Sequence, residues 1–242
     1  MAGKIVSLPL DEYAEKGLYL LFPDATRLDI TASRVKAATK EYWADETKIP
    51  QEVRKTVDFQ RCDFCPRLKD GGICDAIRPV LPFLDALDKY VSFDKVTAVY
   101  KGWRPDLWRF SDTNMQNALV YLSTLSLIHY CQVAVQYRKY FYGVNPLMNA
   151  TQSSARIYLN IYWEKNGDCG KVNALLADFK AVLSVTAQNQ VKRLSLISKN
   201  DAFINAIIKT QLITEFLAQD YDDVLANSFK TIEQKNREEE KY

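Results

Sequence analysis

The sequence predicts an α+β protein that is mostly helical. It would have a small N-terminal sheet and a Cys-rich metal loop packed on a C-terminal helical body. Three observations lead to this. Before residue 110 the apolar runs are short and broken by Gly and Pro, as in strands and turns. From Ser111 onward apolar residues recur at helical spacing over long segments. Three of the five cysteines fall within the 13 residues from Cys62 to Cys74. The shift near residue 111 divides the chain into an N-terminal part, 1–110, and a helical body with a polar tail, 111–242.

The elements follow in order. Residues 4–10 (KIVSLPL) and 18–22 (LYLLF) read as two strands, Pro9 favouring an edge. Residues 31–43 form a helix after a Thr cap, and Gln51 to Val57 add a turn of helix. Residues 61–74 (RCDFCPRLKDGGIC) are a loop punctuated by Pro66, Gly71 and Gly72. Ala76 to Tyr90 has helical spacing interrupted by Pro79 and Pro82. Lys95 to Lys101 is a strand, with Leu107 to Phe110 as its hairpin partner. Ser111 then caps a helix running to about Tyr142, with Gly143 as its stop. Four more helices follow: Ser153 to Glu164, Lys171 to about Gln190, Lys192 to Ser198, and Asp201 to Gln219 with Asn200 as cap.

Composition narrows the function. Of 242 residues, 48% are apolar and 26% charged, an ordinary globular balance. No apolar run approaches the roughly 18 residues of a membrane span. The start, MAGKIVSLPLDEY, lacks the marks of an export signal, so a cytoplasmic protein with no membrane association is expected. A net charge of +2 gives no general attraction for nucleic acid. Tyr137 to Tyr142 interleaves aromatic and basic residues, but one short cluster is a weak signal for single-stranded nucleic acid. A helix end with its rings in the core explains the cluster equally well.

The cysteines carry the chemistry. An odd count with no export signal argues against a disulfide framework. In Cys62-x2-Cys65 a tight turn lets both thiolates face one metal, and Cys74 follows a Gly-Gly that lets the loop fold back. Zinc and iron–sulfur centres both ask for four such ligands. The fourth has three candidates: His129, Cys131 and Cys169. On a regular helix, residues two apart diverge by about 200°, so His129 and Cys131 exclude each other. Three unrelated buried thiols are the plainer alternative.

A resemblance chooses among the candidates. Trp43, Cys62-Asp-Phe-Cys65-Pro66, Cys74, Ser92-Phe-Asp94-Lys-Val96, Thr113-Asn-Met-Gln116, Cys131 and Pro146 occur in an order that resembles a bacterial protein family of unknown function. Arg193-Leu194 and Asp201 to Ala206 are similar to the family's last helices, so the resemblance covers about residues 40–215. It implies that Cys131 is the fourth thiolate. The chain departs from the pattern where His129-Tyr130 replaces Ser-Gly before that cysteine and Gln132 replaces the following Pro. Val144-Asn145 stands where the family has a histidine.

The expected centre is therefore Cys62, Cys65, Cys74 and Cys131, holding zinc, with an iron–sulfur cluster as the alternative. No phosphate loop or catalytic triad is visible, so no catalytic residue is assigned. A non-catalytic interaction or regulatory protein with a protein partner is expected first. An iron–sulfur redox protein comes second. A sensor or enzyme comes third, using polar rows at His129, Gln132 and Gln136, at Arg156 and Asn160, and at Asp201, Asn205 and Lys209.

Overall fold

Alternation along one short strand organises the N-terminal half. The structure is a computed structural model that describes residues 13–57, 61–68, 73–102, 107–198 and 201–217. Strand β1 (Gly17–Leu21) sends Leu18 and Leu20 into the main core. Tyr19 and Leu21 point to the opposite face, where Tyr13 and Val99 cover them. This is the period of two expected of a strand with apolar residues on both faces. Strand β2 (Arg27–Thr31) pairs antiparallel with β1. Strand β3 (Lys95–Lys101) pairs with the other edge of β1, and β4 (Leu107–Asn114) closes the order β2-β1-β3-β4. The expected strand at 4–10 lies outside the described residues. The observed hairpin partner of β1 is instead Arg27–Thr31, a segment too charged to read as a strand.

Gly17 lets β1 start against β2. A methyl group there would meet the Ile30 carbonyl oxygen at 2.6 Å and the Thr31 Cα at 2.7 Å, both backbone atoms. Gly17→Ala should therefore cost about 2–3 kcal/mol, a small-to-large change with no flexible neighbour to yield. Chemical denaturation would check this; a loss below about 0.5 kcal/mol would show that the strands can part there.

Thr31 caps helix α1 (Ala32–Ala44) by accepting the Arg34 N–H at 3.4 Å, as the sequence suggests. Helix α2 (Gln51–Val57) is one short segment. The proline-rich stretch from Asp75 resolves into two 3-10 turns, Asp75–Ile77 and Leu81–Phe83, and a single α-turn, α3 (Leu84–Leu87).

The helical body departs most from expectation at its start. β4 runs through position 111 to Asn114, so the helix expected to start there does not. Asn114 is the cap instead, accepting the Asn117 N–H at 3.2 Å. The single helix expected from 111 to 142 is four pieces: α4 (Met115–Ala118), α5 (Val120–Thr124), a π-helical turn (Leu125–Tyr130) and a 3-10 segment (Ala134–Phe141). Cys131 sits at the break in extended conformation, φ −65° and ψ 119°. Helix α6 (Ala150–Glu164) starts from a capping box between Asn149 and Gln152. The third and fourth expected helices are one, α7 (Cys169–Leu194), 26 residues long. Helix α8 (Ala202–Phe216) packs on α4, α5, α6 and α7. The expected cap Asn200 and the polar tail lie outside the described residues.

One apolar core joins sheet and helices, running from Leu18, Ile30 and Phe83 through Leu122 and Ile128 to Phe179, Leu183 and Ile207. No helix among the described residues is long and apolar enough to cross a membrane.

Candidate metal centre

Four cysteines distant in sequence reach one place. Cys62, Cys65, Cys74 and Cys131 line a single cavity with Arg61, Arg67 and Asp75. Gln132, Val133 and Arg193 complete its wall. Counted over positions open to a water centre it measures about 30 Å³, where one water needs about 10–15 Å³.

Local structure explains each arrival. The Cys65 N–H donates to the Cys62 carbonyl at 2.9 Å, closing the turn that puts both thiols on one side. Cys74 precedes the 3-10 turn Asp75–Ile77, and the Ser126 hydroxyl donates to the Ala76 carbonyl at 2.5 Å, fixing that turn to the π-helical segment. Cys131 ends that segment in extended backbone, which breaks the helical geometry that would have aimed its side chain elsewhere. The exclusion between His129 and Cys131 therefore did not apply, because it assumed a regular helix. His129 is not among the cavity's lining residues; burial first, and the Arg138 cation second, lower its pKa to about 4. Cys169 is the first residue of α7 and exposed, with its Sγ 3.6 Å from the Gly167 carbonyl. All five cysteines are described, and none forms a disulfide.

Helix α7 supplies the roof. Asn189 Nδ2 donates to Cys62 Sγ at 3.3 Å, and Gln190 Nε2 donates to Cys74 Sγ at 3.4 Å. Both amides and Arg193 are buried. Sequence reasoning missed this roof. The available signal was a polar series, Thr186, Asn189, Gln190 and Arg193, on the same stripe as Phe179, Leu183 and Leu194. Polar residues placed on a buried face ask for a partner.

Burial sets the protonation of these thiols. Burial raises the Cys62 pKa, partly opposed by the Asn189 amide and the Arg193 cation. Burial pushes the Cys131 thiol up to about 12. Alone, both stay protonated at neutral pH. A bound cation would reverse this, because a coordinating thiol is deprotonated outright.

The wall beside Cys74 is a carboxylate hub. Asp75, 4% exposed, accepts from Trp43 Nε1 at 3.1 Å, Arg78 Nε at 2.9 Å and Gln132 Nε2 at 2.8 Å. Arg67 Nε lies 3.6 Å away. Arg78, fully buried, also reaches Glu46 Oε1 at 2.8 Å.

No known family, characterised protein or solved structure matches this chain.

The chemistry of the donors tests which group fits. Around one zinc, thiolates at about 2.3 Å from the ion would sit about 3.8 Å from each other. Among the described residues, no three His, Cys, Asp or Glu side chains are gathered as ligands of a single ion. A set of four thiols is the donor chemistry of zinc and of iron–sulfur centres alike.

The polar rows of the helical body do not converge. Gln132 serves the hub, and Gln136 Nε2 donates to the Val133 carbonyl at 3.2 Å. Asn160 Nδ2 donates to the Tyr140 and Tyr142 carbonyls, both at 2.8 Å. Asp201 accepts the Ser92 N–H at 2.9 Å, and Asn205 donates to the Ser92 hydroxyl at 2.6 Å. These are ties between elements. In the Tyr137–Tyr142 cluster, Tyr137, Tyr140 and Phe141 are in the core.

Proposed function

We propose that this protein holds an iron–sulfur cluster on Cys62, Cys65, Cys74 and Cys131 and works as a redox or cluster-sensing protein. One observation carries the reading: four cysteines from three separate segments line one cavity, under buried amides that donate to two of their sulfurs. When bound, the cluster supplies one-electron chemistry. The chain's own residues would hold and tune it. The Asn189 and Gln190 amides donate to ligand sulfurs, and Arg193 brings positive charge to a dianionic centre. Such donors favour the more negative, reduced state.

Zinc remains the competing occupant, because a Cys-x2-Cys turn with a closed four-thiolate set is also how structural zinc is held. The protein would then be an interaction or regulatory module. Both readings place the chain in the reducing cytoplasm, and both leave a surface for a protein partner. Phe64, inside the Cys62–Cys65 turn, is 50% exposed, and Trp43, bonded to the hub, is 51% exposed.

The test is metal and acid-labile sulfide content per chain, with electron paramagnetic resonance, on protein purified without air. Iron and sulfide in equal amounts would support the proposal. One zinc and no sulfide would replace it with the structural reading. No metal after reconstitution with either would overturn both.

A further inference from the structure

A second cavity lies in the helical body and shares no lining residue with the cysteine site. On the same measure it is larger, about 210 Å³. An apolar cavity of about 150 Å³ is enough to take benzene. Its polar residues are Lys209 of α8, Asn117 of α4, Thr113 at the end of β4 and Asn149, the cap of α6. Val120, Leu147 and Ile213 are among its apolar walls.

Lys209 is the unusual member. It is half-buried, and desolvation lowers its pKa. Its ammonium donates to Asn117 Oδ1, a neutral acceptor. Among the described residues no carboxylate pairs with it, although the surface lysines Lys48, Lys139, Lys171 and Lys180 all have acidic partners. An ammonium withdrawn from water and given only an amide oxygen retains unused donors and uncompensated charge. A large cavity with apolar walls opens in front of it.

We infer that this cavity binds a small monocarboxylate, the carboxylate on Lys209 and its apolar remainder against Val120, Leu147 and Ile213. One cation among neutral amides suits a single negative charge carrying a hydrocarbon tail. A phosphate would call for more positive charge than Lys209, the one cation among these lining residues, supplies. The inference is independent of the metal centre.

The experiment uses the full chain and the reactivity of Lys209. Lysines are acetylated under limiting reagent, and peptide mass spectrometry reads each site with increasing hexanoate. Saturable protection of Lys209 by at least about tenfold is expected, the worth of a hydrogen-bonded charge. Lys171, paired with Asp168 on the surface, should be unaffected. Hexanol should not protect, since it lacks the charge. Hexanoate affinity measured by calorimetry should fall about tenfold or more in Lys209→Gln, with melting temperature unchanged. Failure of acetate, butanoate, hexanoate and benzoate to protect Lys209 would overturn the inference. So would equal protection by hexanol, stronger protection by inorganic phosphate, or a Lys209 already unreactive without any probe.

Discussion

Cys131→Ser is expected to weaken metal retention by about a thousandfold and to lower the melting temperature by about 8–16 °C. The estimate follows from linkage. Structural metal binding contributes on the order of 10 kcal/mol to small metal-stabilised domains. Losing one of four ligands while keeping a packed core should remove about 4 kcal/mol of that. For a chain of this size each kcal/mol moves the midpoint by about 2–4 °C. The substitution itself is nearly isosteric, so the drop should vanish when both proteins are stripped of metal by a chelator. That convergence separates a lost ligand from a disturbed core, which matters because Cys131 is only 5% exposed. Cys169→Ser, at the exposed start of α7, should change neither metal content nor melting temperature. If Cys131→Ser keeps its full metal complement, Cys131 is not a ligand and the cavity's contents need another explanation.

The fold class was legible because the relevant signals are local. The short apolar run at 18–22, the Thr31 cap, the strand at 95–101 and the glycine stop at Gly143, φ 77°, each depend on a few adjacent residues. The breaks between Met115 and Phe141 were not legible. The stretch carries continuous helical periodicity and no proline, so sequence gives no reason to interrupt it. The interruption comes from tertiary contact: Ser126 tied to the Ala76 carbonyl, Ser123 to the Ala206 carbonyl at 3.1 Å, and Cys131 turned toward the cysteine loop. The fusion of two expected helices into α7 has the opposite cause, since a polar stripe near Asn189 reads as a helix end when its partner sulfurs are unseen. The first three cysteines were legible from spacing alone. The convergence of the fourth, and the roof and hub around it, are long-range features that no window of sequence contains.

The second large effect is expected at Arg78. Arg78→Met should destabilise the fold by about 3–5 kcal/mol, the range for removing one partner of a buried ion pair. Its side chain is fully buried, its Nε is 2.9 Å from Asp75 Oδ1, and its guanidinium lies 5.5 Å from the Trp43 ring centre. Methionine fills most of the same volume, so the cost comes from Asp75, left in a dry site with Trp43 and Gln132 as its close donors and Arg67, at 3.6 Å, as its more distant cation. Two further variants test that attribution. Glu46→Gln should cost less than about 1 kcal/mol, because Glu46 is 42% exposed and solvent screens its share. The double variant Asp75→Asn, Arg78→Met should be more stable than Arg78→Met alone, because it removes the stranded charge along with its partner. Denaturant unfolding of all three, in metal-free protein, reads this directly. A double variant less stable than the single would mean that Asp75 is held by Trp43 and Gln132, with Arg78 as packing. A loss below about 1 kcal/mol in Arg78→Met would mean that water reaches the hub. In metal-loaded protein the same substitution should also speed metal loss, since Asp75 follows Cys74 directly and anchors the wall on which that ligand stands.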